Sequence, residues 1–150
     1  MNAIDILKKD HQEVQLLFSE FMSADEDDFD RREDLFQQID KALTTHSDAE
    51  EQIFYPSVEK HASDLVEKAE SEHLEINQLL ADMLDIEVDD EEFDTRMTTL
   101  VEKVQGHVQE EESPGGLLDI ARQNLSQAEL DDMGRRIEQL KKDSEEELAA

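Results

Sequence analysis

Apolar residues in this chain recur at alternating steps of three and four along five successive segments, a period that an α-helix converts into one buried face. The first segment runs from about Asn2 to Met22, with Ile4, Leu7, Val14, Phe18 and Phe21 on a stripe that also passes through His11. Turn formers and like charges crowd Ser23 to Asp28, and a second segment begins near Asp30. Its stripe is Phe36, Ile39, Leu43, His46, Glu50, Ile53 and Ser57, continuing to His61, with Pro56 kinking the helix or starting a new turn. The third opens at Ser63 and Asp64, a good pair for an N-terminal cap, and buries Val66, Ala69, His73, Ile76, Leu80 and Met83. After the acidic turn Val88 to Glu91 the fourth carries Phe93, Met97, Leu100, Val104, His107 and Glu111, ending before Pro114-Gly115-Gly116. Ser126 with Glu129 three residues on signals a capping box, followed by a narrower stripe of Leu130, Met133, Ile137 and Leu140. Lys141 and Lys142 suit the end of that helix, before an acidic tail, Glu145 to Glu147, expected to fray.

No segment alternates with the period of a strand, and the chain holds only 4 Gly and 2 Pro. The expected fold is all-α, an up-down-up-down antiparallel four-helix bundle with an additional C-terminal helix packed across its end or side. At 150 residues the chain is expected to form one domain, 1–150, with the bundle over about 2–112 and the helical extension over about 117–148.

Charge narrows the partners. The 42 Asp and Glu against 14 Lys and Arg leave a formal net charge of −28, which disfavours nucleic-acid phosphates and anionic bilayers. Such acidity in a chain only 37% hydrophobic would suit disorder, but the helical period decides against it, and the acids read as a solvated exterior. That exterior would suit a high-salt or halophilic setting, where ions screen its self-repulsion. No stretch approaches the roughly 18–20 apolar residues of a membrane span and the N-terminus has no apolar leader core, so a cytoplasmic protein is expected. With 0 Cys, thiolate zinc sites, iron–sulfur ligation and thiol nucleophiles are excluded.

Polar residues interrupt each of the four bundle stripes. Each carries a His, and the second and fourth add a Glu four residues later: His46 with Glu50, and His107 with Glu111. Side chains at i and i+4 lie about 40° apart around a helix and about 6 Å apart along it, so both reach one point on the bundle axis. Counting residues from each turn places Glu50, His73 and His107 at equal depth to within about 3 Å. His11, His46, Glu50, His73, His107 and Glu111 can therefore share one layer. A single core His is more often hydrogen-bonded than metal-bound, but six such residues in register reverse that weighting. Four imidazoles and two carboxylates exceed one tetrahedral zinc and suit two ions bridged by the carboxylates and by an oxide, hydroxide or water. Nitrogen and oxygen ligation without thiolate favours iron, with manganese or zinc as alternatives.

The order His, His-x-x-x-Glu, His, His-x-x-x-Glu on four successive helices resembles the hemerythrin-like, or HHE cation-binding, domain. The run His46 to Pro56, the segment Glu72 to Ile76 and Leu125 to Leu130 are similar to that family as well. The resemblance spans nearly the whole chain and implies a non-heme di-iron centre on the same six residues, with both Glu as bridges. It also implies a small partner, oxygen, nitric oxide or peroxide. Oxygen-carrying members use a fifth His one turn after the third-helix His, where this chain has Asn77. That departure weighs against reversible oxygen carriage and brings the pattern closer to bacterial stress-response members. The expected role is binding or sensing oxygen or nitric oxide, or iron handling. The alternatives are an oxidase, peroxidase or nitric-oxide-reducing enzyme at the same centre, and a structural acidic module holding zinc or nothing.

Around the candidate ligands the expectations are milder. Tyr55 stands five residues after Glu50, about 140° off the inward face of an ideal helix, so packing is favoured over ligation or radical chemistry unless distortion near Pro56 turns it inward. Glu51, Glu72 and Glu112 lie about 100° from the metal direction and are expected in solvent, with a role as outer acceptors left open. His61 lies about 16 Å beyond Glu50 along the helix, too far to join the layer.

Overall fold

A computed structural model describes residues 1–149, with side chains to Glu147. Helix α1 (Ala3–Ser23) is capped by the Asn2 side chain, which accepts from the Asp5 amide. Helix α2 (Phe29–Ala49) is capped by Asp28, whose side chain accepts from the Arg31 amide, and passes without a break into a π-helical turn (Glu50–Phe54), a short α3 (Tyr55–Val58) and a 3₁₀ turn (Glu59–His61). Helices α4 (Ser63–Leu84) and α5 (Glu91–Glu112) complete the antiparallel bundle, and α6 (Leu117–Asn124) and α7 (Gln127–Ala149) follow. No strand occurs among the described residues, and no helix is long and apolar enough to cross a membrane.

Every apolar residue assigned to the four bundle stripes is buried, whereas Ser57 is half-buried and His61 exposed. Three local expectations change. Ser63 is the first helical residue of α4, not its cap; Ala62 takes the cap position without a side-chain hydrogen bond because the chain arrives directly from the preceding 3₁₀ turn. The stretch after Pro114 holds two helices, since Leu117, Leu118 and Ala121 bury a face of their own before Leu125 breaks the helix. Helix α7 does not stop at Lys142 but runs through the acidic tail to Ala149; the last residue of the expected 1–150 span, Ala150, lies outside the described residues.

The capping box at α7 forms as read: Ser126 Oγ accepts from the Glu129 amide and Glu129 Oε1 from the Ser126 amide, each at 3.1 Å. Helix α7 lies along the side of α1 and α2. Gly134 permits that approach, since a Cβ there would stand 2.5 Å from the Met1 carbonyl oxygen. Leu130, Met133 and Ile137 join Ile4, Leu7, Phe54, Val58 and Leu118 in one apolar cluster at this end of the molecule. A second cluster, built on Phe18, Phe21, Phe36, Leu80, Phe93 and Leu100, fills the other end. The polar residues of the stripes form the layer between them.

Candidate metal centre

Each of the six residues singled out by spacing is buried and faces the same layer. Helix α1 supplies His11, α2 His46, the π turn Glu50, α4 His73, and α5 His107 and Glu111. Glu50 is fully inaccessible, and its Oε1 lies 3.0 Å from His46 Nε2, 3.0 Å from His73 Nε2 and 3.8 Å from His107 Nε2. Glu111 spans the layer in the same sense, with Oε1 3.3 Å from His11 Nε2 and Oε2 3.5 Å from His107 Nε2. The donor atoms fall into two groups, His11, His46, Glu50 and Glu111 on one side and Glu50, His73 and His107 on the other, each with its atoms within 4.8 Å of one another. Glu50 belongs to both.

A ring of carboxylates runs around the bundle outside the four imidazoles; three of its members orient an imidazole by a hydrogen bond at Nδ1, and the fourth, Glu51, only stands beside His73. Asp10 of α1 accepts from His46 Nδ1 of α2 at 2.9 Å, and Glu72 of α4 accepts from His107 Nδ1 of α5 at 2.9 Å. Glu112 of α5 accepts from His11 Nδ1 of α1 at 2.7 Å, and Glu51 of the π turn lies 3.5 Å from His73 Nδ1 of α4. Each acceptor is the sequence neighbour of an inward ligand candidate. A position one residue from the axis-facing direction points into the seam with the next helix, where that helix's imidazole lies. Glu72 and Glu112 are thus only partly in solvent and act as outer acceptors, whereas Glu51 leaves His73 Nδ1 buried without a hydrogen-bond partner. Asp10 obeys the same rule, and its place beside His11 in the sequence is the signal that marks it.

At His11, His46 and His107 the carboxylate at Nδ1 keeps the proton there and leaves Nε2 as a lone pair aimed inward. The centre then presents imidazole lone pairs and carboxylate oxygens, all acceptors. His11 Nε2, His46 Nε2, Glu50 Oε2 and Glu111 Oε1 are buried without a hydrogen-bond partner, and the Nε2 atoms of His73 and His107 face each other at 3.0 Å. Buried polar atoms left so cost free energy, and cations are what this donor set can satisfy together. The residues therefore fit a two-cation centre.

Without a cation, protons take that role. Burial opposes charging His46, but the nearby Glu50 charge and the hydrogen bond that His46 donates to Asp10 overcome it and raise its pKa to about 10. For His107 burial is likewise outweighed, by Glu50, Glu111 and Glu72, and the value rises to about 9. Burial would raise Glu50, but His46, His107 and His73 hold it well below the usual carboxylate range.

Tyr55 is where the structure departs most from the ideal-helix expectation. The Tyr55 amide donates to the Glu50 carbonyl, closing an i→i+5 turn that brings the ring round to the face of Glu50. Its hydroxyl donates to Glu111 Oε2 at 2.7 Å and lies 3.2 Å from His73 Nε2, 3.3 Å from Glu50 Oε1 and 3.5 Å from His107 Nε2. Packing is only half its role. Burial, together with the charges of Glu50 and Glu111, pushes its ionisation up, so the phenol enters the centre as a proton donor. Asn77 is exposed and contributes nothing to the layer.

A small cavity of about 20 Å³ touches the four imidazoles and is otherwise lined by Val14, Leu43, Ile76, Val104, Val108 and Ser47. It has room for one molecule the size of water or a diatomic gas.

Comparison with known proteins agrees with this architecture. A crystal structure of a hemerythrin HHE cation-binding domain-containing protein from Mycobacterium kansasii superposes with a TM-score of 0.76 at 20% identity, covering 100% of this chain and 93% of that one. An uncharacterised hemerythrin-like protein of Schizosaccharomyces pombe is 28% identical over 142 residues, 92% of this chain and 68% of that protein. A DNA nickase of Nostoc sp. is 34% identical over 127 residues; the match takes in 84% of this chain but only 35% of that protein's length. The hemerythrin HHE cation-binding domain model matches residues 2–114, which include all six candidate ligands, and the chain belongs to that family.

Proposed function

We propose that the protein is a non-heme di-iron-binding module that binds or senses oxygen or nitric oxide, or handles iron, through His11, His46, Glu50, His73, His107 and Glu111. The observation that carries this reading is the two donor groups sharing Glu50, with unpaired inward acceptors that cations would satisfy. Bound there, two irons would supply one-electron chemistry and an open position for a diatomic ligand; manganese or zinc would fit the same donors with different reactivity. His11 and His46 would hold one ion and His73 and His107 the other, with both Glu between them. The apolar walls of the small cavity favour a gas over a strongly hydrogen-bonding guest. A net charge of −28 weighs against extending to this chain the DNA named for the longer Nostoc relative.

Tyr55 favours a second reading, turnover at the same centre as an oxidase, peroxidase or nitric-oxide-reducing enzyme, because its hydroxyl holds a proton among the donor atoms. Anaerobic ferrous titration followed by oxygen exposure tests both. Two irons per chain with near-ultraviolet ligand-to-iron charge-transfer bands, lost in His107→Ala, is the expected result. Sustained product formation that disappears in Glu50→Ala would shift the reading to an enzyme, and stoichiometric reaction would keep the binding module. No tight iron, or a single ion indifferent to oxygen, would leave a structural or zinc-holding module.

A further inference from the structure

The ring of carboxylates is not uniform. Glu51, Glu72 and Glu112 have side chains 38%, 26% and 35% exposed, whereas that of Asp10 is 8% exposed. Among the described residues no Lys or Arg ion-pairs with those three; Lys68, near Glu72, pairs with Glu110 at 2.9 Å. Asp10 has a cation of its own. Lys141 Nζ on α7 donates to Asp10 Oδ1, while Asp10 Oδ2 accepts from His46 Nδ1 at 2.9 Å. A cleft of about 290 Å³ between α1, α2 and α7 has Asp10, His46 and Lys141 in its wall, so this branch of the ring adjoins a surface opening. Lys141 lies beyond residues 2–114, on a helix outside the matched domain.

A carboxylate that accepts from the Nδ1–H of a ligating imidazole raises that ligand's basicity. An ammonium on the same carboxylate takes up part of its charge, weakens its pull on the Nδ1 proton, and places a positive charge near the bound cation. Among the described residues His46 is the imidazole whose outer carboxylate carries a direct lysine ion pair.

We propose that Lys141 is a positioning residue that tunes one half of the centre: through Asp10 it lowers the donor strength of His46 and so weakens the hold of the His11–His46 half on a divalent cation. The inference rests on the two-cation reading of the layer. It gives the helix outside the matched domain a function at the centre besides covering apolar surface.

Competition of the full chain against a chelating dye for zinc(II), which is redox-silent and needs no activity, tests it. Wild-type protein is expected to take up two zinc ions in two resolved steps, with His11→Ala removing the one that belongs to the His11–His46 half. Outer partners of metal-ligating imidazoles change affinity by about 10–100-fold. Lys141→Gln, which keeps a hydrogen-bonding side chain but no charge, is expected to tighten the step that His11→Ala removes about tenfold and leave the other in place. Lys141→Arg restores the charge and is expected to follow wild type. Two bound zinc ions with both steps unmoved in Lys141→Gln, both moved equally, or the His11-dependent one loosened, would overturn the role of Lys141. Fewer than two zinc ions on wild-type protein would overturn the two-cation reading itself, and this inference with it.

Discussion

At Tyr55 a single i→i+5 hydrogen bond changes what a side chain can do. On an unbroken α-helix the ring would sit about 140° from Glu50 and serve as packing; in the π turn its hydroxyl reaches four donor atoms of the centre. The titrating residues beside it carry a prediction for the metal-free protein. His46 and His107 rise from an ordinary 6.5 to about 10 and about 9, so between those limits the folded chain holds protons that the unfolded chain has released. Their contribution to stability is fully present below pH 6.5 and is lost as pH rises toward 9–10. The melting temperature of chelator-treated protein is therefore expected to fall by several degrees over that window; a flat or rising profile would contradict the assignment. Metal affinity should run the other way, rising with pH, because the cations need those nitrogens deprotonated.

Helices of this molecule meet closely enough that single backbone atoms decide the fit. A Cβ on Gly134 would meet the Met1 carbonyl oxygen at 2.5 Å and the Ala3 nitrogen at 3.2 Å, and backbone cannot rotate away as a side chain can. An alanine in a helix interior ordinarily gains about 1 kcal/mol over glycine. Here Gly134→Ala is expected to destabilise the fold by about 1–3 kcal/mol, the scale of overpacking, read from urea unfolding midpoints. A stabilised variant would mean that α7 does not pack against the start of α1 as described. The π turn belongs to the same scale. Pro56 in the sequence marks a disturbed helix, but whether the disturbance kinks the axis or inserts a residue depends on what the neighbouring helices accept, and here Tyr55 fills the layer.

For the whole molecule the balance of charge is the dominant fact. Of its acids, the described residues bury only Asp10, Glu50 and Glu111, all three in or beside the centre, while the others make a strongly anionic exterior. Self-repulsion on that exterior opposes folding and is screened as salt shortens the Debye length from about 10 Å at 0.1 M to about 3 Å at 1 M. Thermal stability is therefore expected to rise from low to molar salt, and a melting temperature independent of ionic strength would refute the argument. The buried acids need a different remedy, since screening does not reach them, and cations in the layer provide one.

What the sequence determined by itself follows from the helical period. Stripes at steps of three and four fix which face of each helix is buried, and antiparallel helices joined by short turns fix depth, so the meeting of six polar residues in one layer was legible before any coordinates. Residues whose position depends on a partner helix were not. The outward lean of Glu72 and Glu112 becomes a contact only because the next helix places an imidazole in the seam, and Asp10 finds Lys141 only because α7 folds back over α1. Tyr55 turns inward through a hydrogen bond that ideal geometry does not contain. Periodicity is a property of one helix, while the second partners of the site belong to pairs of helices, and only their packing decides those.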